Sequence, residues 1–276
     1  MGIVKYLAYR EHNHLRVQTN DTMMGLLAGS KIAAQTLNLT SGSELQLSEI
    51  FPRVEHIRRF NLKTEKAQEV LEKAEYFLGI LAVPQVIALQ EDLMVGMLML
   101  LEQYVPGTGN LARGAKAANV HERFQESTGQ NFTQESLELF HLLRVARNTH
   151  IHSGGKASST LLNKISETTP QSYEVWNTIT KTNFPTYQLD EEVTLGLAEL
   201  IGTLAITKRL SEEANIILQR ELPKNVWADI AVNDWMKTRR PGNASQLNRQ
   251  LLSLVRRHYG PLGLTEPELE AARARI

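Results

Sequence analysis

Residues 86–104 are apolar almost throughout, interrupted mainly by Gln90-Glu91-Asp92 and by Glu102 with Gln103 beside it. A run like this crosses a bilayer or forms the buried centre of a helical core. With Glu91 and Asp92 counted, its apolar length falls short of a span, so it is read as a central buried helix and no membrane partner is expected. Everything else in the chain must then supply helices to cover it.

The flanking sequence has the spacing and punctuation of helices. Asn20 or Asp21 caps a helix through Leu37, and Thr40-Ser41-Gly42-Ser43 ends it. A short helix is expected over 48–60, with Pro52 tolerated in its first turn. Thr64 caps a longer one running towards Leu81, and Pro84 breaks or kinks it. Pro106-Gly107-Thr108-Gly109-Asn110 opens a polar connection holding Arg113, Lys116, His121 and Arg123. Thr133 then offers an N-cap for the next helix. Short elements follow over 161–165 and 173–179, a long helix over 191–218, and beyond Pro223 helices over 225–237, 245–259 and after Thr265. No β-hairpin signal, internal repeat or low-complexity tract is present. The expected fold is all-α, an antiparallel bundle over 20–221 with a small helical module over 222–276. Residues 1–19, in which Tyr6, Tyr9, His12 and His14 alternate with charge, read as an arm.

At 276 residues the chain can bury a substantial core. Cysteine is absent, which excludes disulfides, thiolate metal sites and cysteine nucleophiles. No charged start followed by a long apolar core marks a secretory signal, so the default location is cytoplasmic. The formal net charge of zero argues against indiscriminate binding of polyanions. The last 55 residues are different: nine Lys plus Arg stand against five Asp plus Glu, and no acid lies between Asp234 and Glu266. Lys237, Arg239, Arg240, Arg249, Arg256 and Arg257 fall in that gap and make a candidate RNA-binding surface. Trp227, Trp235 and Tyr259 stand near these cations, although such residues in a small helical module are more often core.

The most informative stretch is Arg147-Asn148-Thr149-His150-Ile151-His152-Ser153-Gly154-Gly155. At steps of about 100°, Leu139, Leu142, Leu143 and Ala146 form one apolar stripe, while Arg144, Arg147, Asn148, Ile151 and His152 occupy the opposite arc. Gly154-Gly155 supplies the geometry at which such a helix stops and is expected to open into an accessible loop. His150 falls on the apolar stripe and reads as a partly buried structural residue.

This pattern resembles the HEPN family, whose members carry an Arg-x4-6-His motif, often with Asn after the Arg. The matching positions are Arg147, Asn148 and His152. The resemblance implies an all-α bundle, commonly dimeric, and a metal-independent endoribonuclease of the toxin or phage-defence kind. His152 would act as general acid or base, Arg147 would hold the phosphate, and Asn148 would orient the phosphate, the imidazole or the helix end. No cofactor or metal is implied. Because one histidine serves poorly as both base and acid, the resemblance also implies a homodimer with a composite cleft, and Leu137, Phe140 and Ile151 would suit the subunit contact. An antitoxin or regulatory protein is a further partner of such enzymes.

Arg144 would extend the phosphate track, and Glu91 and Asp92 would support the motif if either paired with Arg144 or Arg147. Neither Gly107-Thr108-Gly109-Asn110 nor Gly154-Gly155-Lys156 has the strand context or spacing of a nucleotide loop. The alternative to an enzyme is a non-catalytic scaffold of the same shape that binds nucleotide, RNA or protein.

Overall fold

The computed structural model describes residues 2–60, 62–105, 107, 109–152 and 154–276, apart from the Phe60 side chain. Pro106, Thr108 and Ser153, named above, lie outside the described residues. The fold is all-α: thirteen α-helices, one 3-10 turn and two isolated β-bridges make up the regular structure among the described residues.

Helix α1 (Leu7–Asn38) already includes most of the segment read as an arm. Its first turns bury Tyr9 and His12, behind a buried Tyr6. These side chains are amphipathic, and the His12 ring finds a partner inside: its Nδ1 lies 3.2 Å from the Leu89 carbonyl. A pattern of aromatic and imidazole groups among charges hides that apolar face. From residue 13 to 33 nothing in α1 is buried.

The short helix expected over 48–60 is two single turns, α2 (Leu47–Ile50) and α3 (Ile57–Phe60), with Pro52 in the segment between. The helix begun at Thr64 is α4 (Thr64–Glu72), and it ends at Lys73. Helix α5 (Ala74–Tyr104) then runs straight through Pro84. An interior proline costs about 3 kcal/mol of helix stability. Around it Ala82, Val83, Val86 and Ile87 are all at most 1% exposed, and their burial offsets that cost. By length and composition alone helix α5 is long and apolar enough to cross a membrane, even with Glu91 and Asp92 counted, which corrects the length reading. It packs against α1 and against α10 (Leu197–Glu221).

The polar connection contains a helix that its composition concealed. Helix α6 (Val120–Thr128) buries Val120, His121 and Phe124. Helix α7 (Gln134–His152) follows Thr133 as expected and buries Leu139, Leu142, Leu143 and Ala146. Helices α8 (Ser159–Glu167) and α9 (Pro170–Thr180) pack on α7, each with a side-chain N-cap, from Ser158 and Thr169. Gly202 of α10 lies against the buried ring of Trp176 in α9. Helix α10 starts six residues later than expected, because residues 190–193 instead bond back to the segment after α7. Ala157 N–H donates to the Glu191 carbonyl (2.8 Å) and Val193 N–H to the Gly155 carbonyl (2.8 Å).

Helices α11 (Lys224–Thr238), α12 (Ala244–His258) and α13 (Glu266–Arg275) follow, with the 3-10 turn Gly260–Leu262 between the last two. Their core is continuous with the rest of the chain. Arg10 forks onto Asp234 with two hydrogen bonds of 2.8 Å, and Tyr259 donates to the same carboxylate at 2.8 Å. Tyr6 packs on Trp227 with ring centroids 5.7 Å apart. Residues 4–12 are thereby built into the seam between α10, α11 and α12.

Candidate functional site

The expected motif occupies the last two turns of α7. Arg144, Arg147 and Asn148 are half-buried, whereas Ile151 and His152 are exposed. Arg147 Nη1 donates to Asn148 Oδ1 at 3.0 Å, so the asparagine steadies its neighbour's guanidinium. Arg147 Nε is buried with no partner among the described residues. A desolvated donor left in this way favours an anion at the guanidinium. His152 makes no hydrogen bond among the described residues and faces solvent. Five residues separate it from Arg147, which places the two about 7.5 Å apart along the axis and roughly 140° apart around it. No hydrogen bond or ion pair among the described residues joins their side chains.

The helix stops where the glycines allow it. Gly154 and Gly155 adopt φ of 60° and 81°, and Gly155 N–H returns to the Thr149 carbonyl at 3.1 Å. The loop beyond is not open as expected, because residues 190–193 pin it through the bonds described above. His150 is half-buried, as its place on the stripe implies. Its ring meets Tyr76 edge-on at 6.4 Å, its Nε2 is buried without a partner, and Gly155 lies over its Nδ1 side. It fastens α7 to α5, and Tyr76 passes the contact on to Glu192 through its hydroxyl (3.1 Å).

Glu91 and Asp92 do not join the motif. Glu91 Oε2 accepts the Ala117 N–H (2.9 Å) and so fixes the approach to α6. Asp92 is exposed on a different cleft of about 630 Å³ between α1, α5 and α11, which also takes in Glu11, His12 and Lys237. Neither acid pairs with Arg144 or Arg147. Of the proposed subunit-contact residues, Phe140 is spent inside the chain, 1% exposed and 4.5 Å from the His121 ring, and Leu137 is half-buried. Ile151 remains exposed.

A polar cleft of about 430 Å³ opens along α7 within the two turns before Arg147. Its walls are α6, α7 and α8, and the side chains are Glu122, His141, Arg144, Thr160, Asn163, Lys164 and Glu167. His141 Nε2 lies 2.8 Å from Glu122 Oε1, and its Nδ1 accepts from Arg144 Nε at 3.4 Å. Burial lowers the Arg144 pKa, and Arg147 adds to this against the opposing pull of Glu122. Behind His141, a buried polar chain crosses the core. The His121 ring is 6.3 Å away; its Nε2 meets the Gln90 amide (3.2 Å), and Gln90 accepts from Ser211, which also adjoins His12. Burial pushes His121 down to about 3 and His12 to about 4, so both rings are neutral at physiological pH. The sequence reading missed this constellation. Placing His141 on the same wheel as Arg144 and Asn148 would have found its nearest member.

The C-terminal cations separate into groups. Arg239 stacks over the buried Trp235 at 5.3 Å, with Arg273 also over that ring at 5.5 Å. Lys237 belongs to the apolar cleft. Arg240, Arg249 and Arg257 line one groove between the end of α11 and α12, and Arg256 is exposed outside it. Trp227, Trp235 and Tyr259 are core, at most 3% exposed. Among the described residues no group of three or more His, Asp or Glu has an arrangement suited to a metal ion.

No protein-family model, curated protein or solved structure matches the chain. The HEPN resemblance therefore rests on Arg147, Asn148, His152 and the helix that carries them.

Proposed function

We propose that this chain is a metal-independent endoribonuclease of HEPN type, cytoplasmic and acting as a toxin or anti-phage effector. One observation carries the reading: a half-buried Arg147, steadied by Asn148 and with a buried, unpartnered Nε, shares the last two turns of one helix with a solvent-facing imidazole. That pairing provides charge stabilisation and proton transfer, the two services a 2′-hydroxyl attack requires. One imidazole takes the proton of the ribose 2′-hydroxyl as its oxygen bonds to phosphorus. A second protonates the 5′ oxygen as its bond to phosphorus breaks, leaving a 2′,3′-cyclic phosphate and a 5′-hydroxyl.

The second imidazole would come from another copy of the chain. The motif end has an apolar border suited to such a contact: Phe77 is 47% exposed, Leu81 68% and Ile151 49%. Phe77 and Leu81 lie one turn apart on α5, and Phe77 packs on Tyr76, which itself touches His150. These residues replace Phe140 in the dimer reading.

The test is incubation of purified protein with RNA in excess EDTA. Cleavage lost in His152→Ala, products bearing cyclic phosphate, and survival of RNA methylated at the scissile 2′ oxygen are the expected results. A second reading, a non-catalytic scaffold for nucleotide, RNA or a protein partner, draws on the separation of Arg147 and His152 around the helix. It predicts binding with no cleavage in the same assay.

A further inference from the structure

The groove holding Arg240, Arg249 and Arg257 has a volume of about 740 Å³, and no carboxylate lines it. None of the three guanidinium groups makes an ion pair or hydrogen bond among the described residues. Its wall is rigid before any ligand arrives. Gln250 takes the Arg240 N–H (2.9 Å) and donates to the Arg240 carbonyl (3.2 Å), clamping the loop after α11 onto α12. Asn243 and Gln246 cap each other at the start of α12 (2.9 Å each way), which fixes the loop's other end. Three unneutralised cations held by backbone bonds, in a stretch of 31 residues without an acid, form a receptor for repeated negative charge.

Arg249 and Arg257 are eight residues apart on α12, about 12 Å along its axis. Each guanidinium can hold one phosphate, so the three cations set the count at about three. Sequence readout needs base edges or stacking platforms. The nearest tryptophan and tyrosine rings are in the core, Trp235 is covered by two arginines, and the half-buried His258 is the one aromatic ring in the groove's lining.

We infer that this groove binds the sugar–phosphate backbone of a single RNA strand without regard to its sequence, engaging about three phosphates. The inference rests on RNA being this protein's substrate, but the site is separate from the α7 motif. It explains how a chain of zero net charge captures a polyanion: the attraction is local, while residues 1–221 carry a net charge of −4.

The test uses the full chain and 2′-O-methylated oligo-U and oligo-C, which the proposed chemistry cannot cut. Binding is measured by fluorescence anisotropy across salt concentrations. Each phosphate neutralised in a single strand contributes about 0.7 to the slope of log affinity against log salt. The variant Arg240→Gln/Arg249→Gln/Arg257→Gln should therefore flatten the slope by about 2. Between 50 and 200 mM salt the native chain should lose about 20-fold more affinity than this variant. The clamping bonds use the Arg240 backbone, so the variant keeps the groove, and its melting temperature should match the native one. Arg256→Gln, a charge loss outside the groove, should change the slope by much less.

Oligo-U and oligo-C should bind alike. An unchanged slope in the triple variant, an equal effect of Arg256→Gln, or a strong preference for one base would overturn the inference. So would unchanged RNA binding with loss of adsorption to phosphatidylserine vesicles, which would assign the groove to a lipid surface. Cleavage is not an observable here. Failure of the nuclease reading would show as intact RNA in the EDTA assay while the slope difference persisted.

Discussion

Replacing Asp234 with Ala should destabilise the protein by about 3–4 kcal/mol, although the residue is far from the motif. The Asp234 side chain is 1% exposed and accepts two bonds from Arg10 and one from Tyr259. Removing one partner of a buried ion pair costs about 3–5 kcal/mol, because the survivor keeps its desolvation penalty. Arg10 is 23% exposed and can partly rehydrate, which places its share near the lower bound. The Tyr259 hydroxyl, fully buried, loses its acceptor and adds to the loss. For a chain of this size the melting temperature should fall by roughly 6–15 °C. Urea unfolding followed by tryptophan fluorescence is the assay, since Trp227 packs on Tyr6 in the same seam. Arg10→Met should cost at least as much, because it strands a carboxylate rather than a guanidinium. The double variant Arg10→Met/Asp234→Ala should cost less than the sum of the single changes by about 2 kcal/mol or more. A loss below about 1 kcal/mol for Asp234→Ala, or strict additivity, would refute this account of the seam.

Stability should also fall in mild acid. His12 and His121 are depressed by burial to about 4 and about 3, so between pH 6.5 and those values the unfolded chain binds protons the folded chain refuses. Their contribution is complete above pH 6.5 and is lost as pH drops through 4 and then 3; urea midpoints at pH 7 and pH 4.5 should differ, and His12→Gln should narrow the difference. Gly202→Ala should destabilise by about 1–3 kcal/mol, because the new methyl would sit 2.2 Å from the Trp176 ring, and a melting curve equal to the native one would contradict that packing. His152→Ala should leave circular dichroism unchanged while abolishing RNA cleavage, whereas His150→Ala should lower the melting temperature by loosening the contact with Tyr76. Phe77→Glu should shift sedimentation towards monomer and reduce cleavage; full activity from a stable monomer would remove the composite cleft.

The parts legible in the sequence were those where helical period and punctuation agree. Helix α7, its apolar stripe and its glycine stop are examples, as are α11 to α13 between their proline and glycine turns. The beginning of α1 and all of α6 were not legible. There the buried face is built from Tyr6, Tyr9, His12 and His121, whose polar atoms mask an apolar body, and the groups that meet His12 and His121 Nε2 lie far along the chain at Leu89, Gln90 and Ser211. Pro84 misled for a related reason: a local rule set its cost, and burial along α5 set the outcome. At the site, the half-buried Arg147 and exposed His152 could be placed by counting around a helix. The pairing of His141 with Glu122 could not, because it joins α7 to a helix concealed in a polar segment.

The clasp of Arg10 on Asp234 also governs timing. These residues are 224 positions apart, and at about 5–20 residues per second a ribosome needs roughly 10–45 s to travel from one to the other. For that interval Tyr6, Tyr9 and His12 have no seam to enter, and the nascent chain carries an unfinished face beside an already synthesised α5. A chain whose core closes only when α11 arrives withholds its final shape from every incomplete product of its own translation.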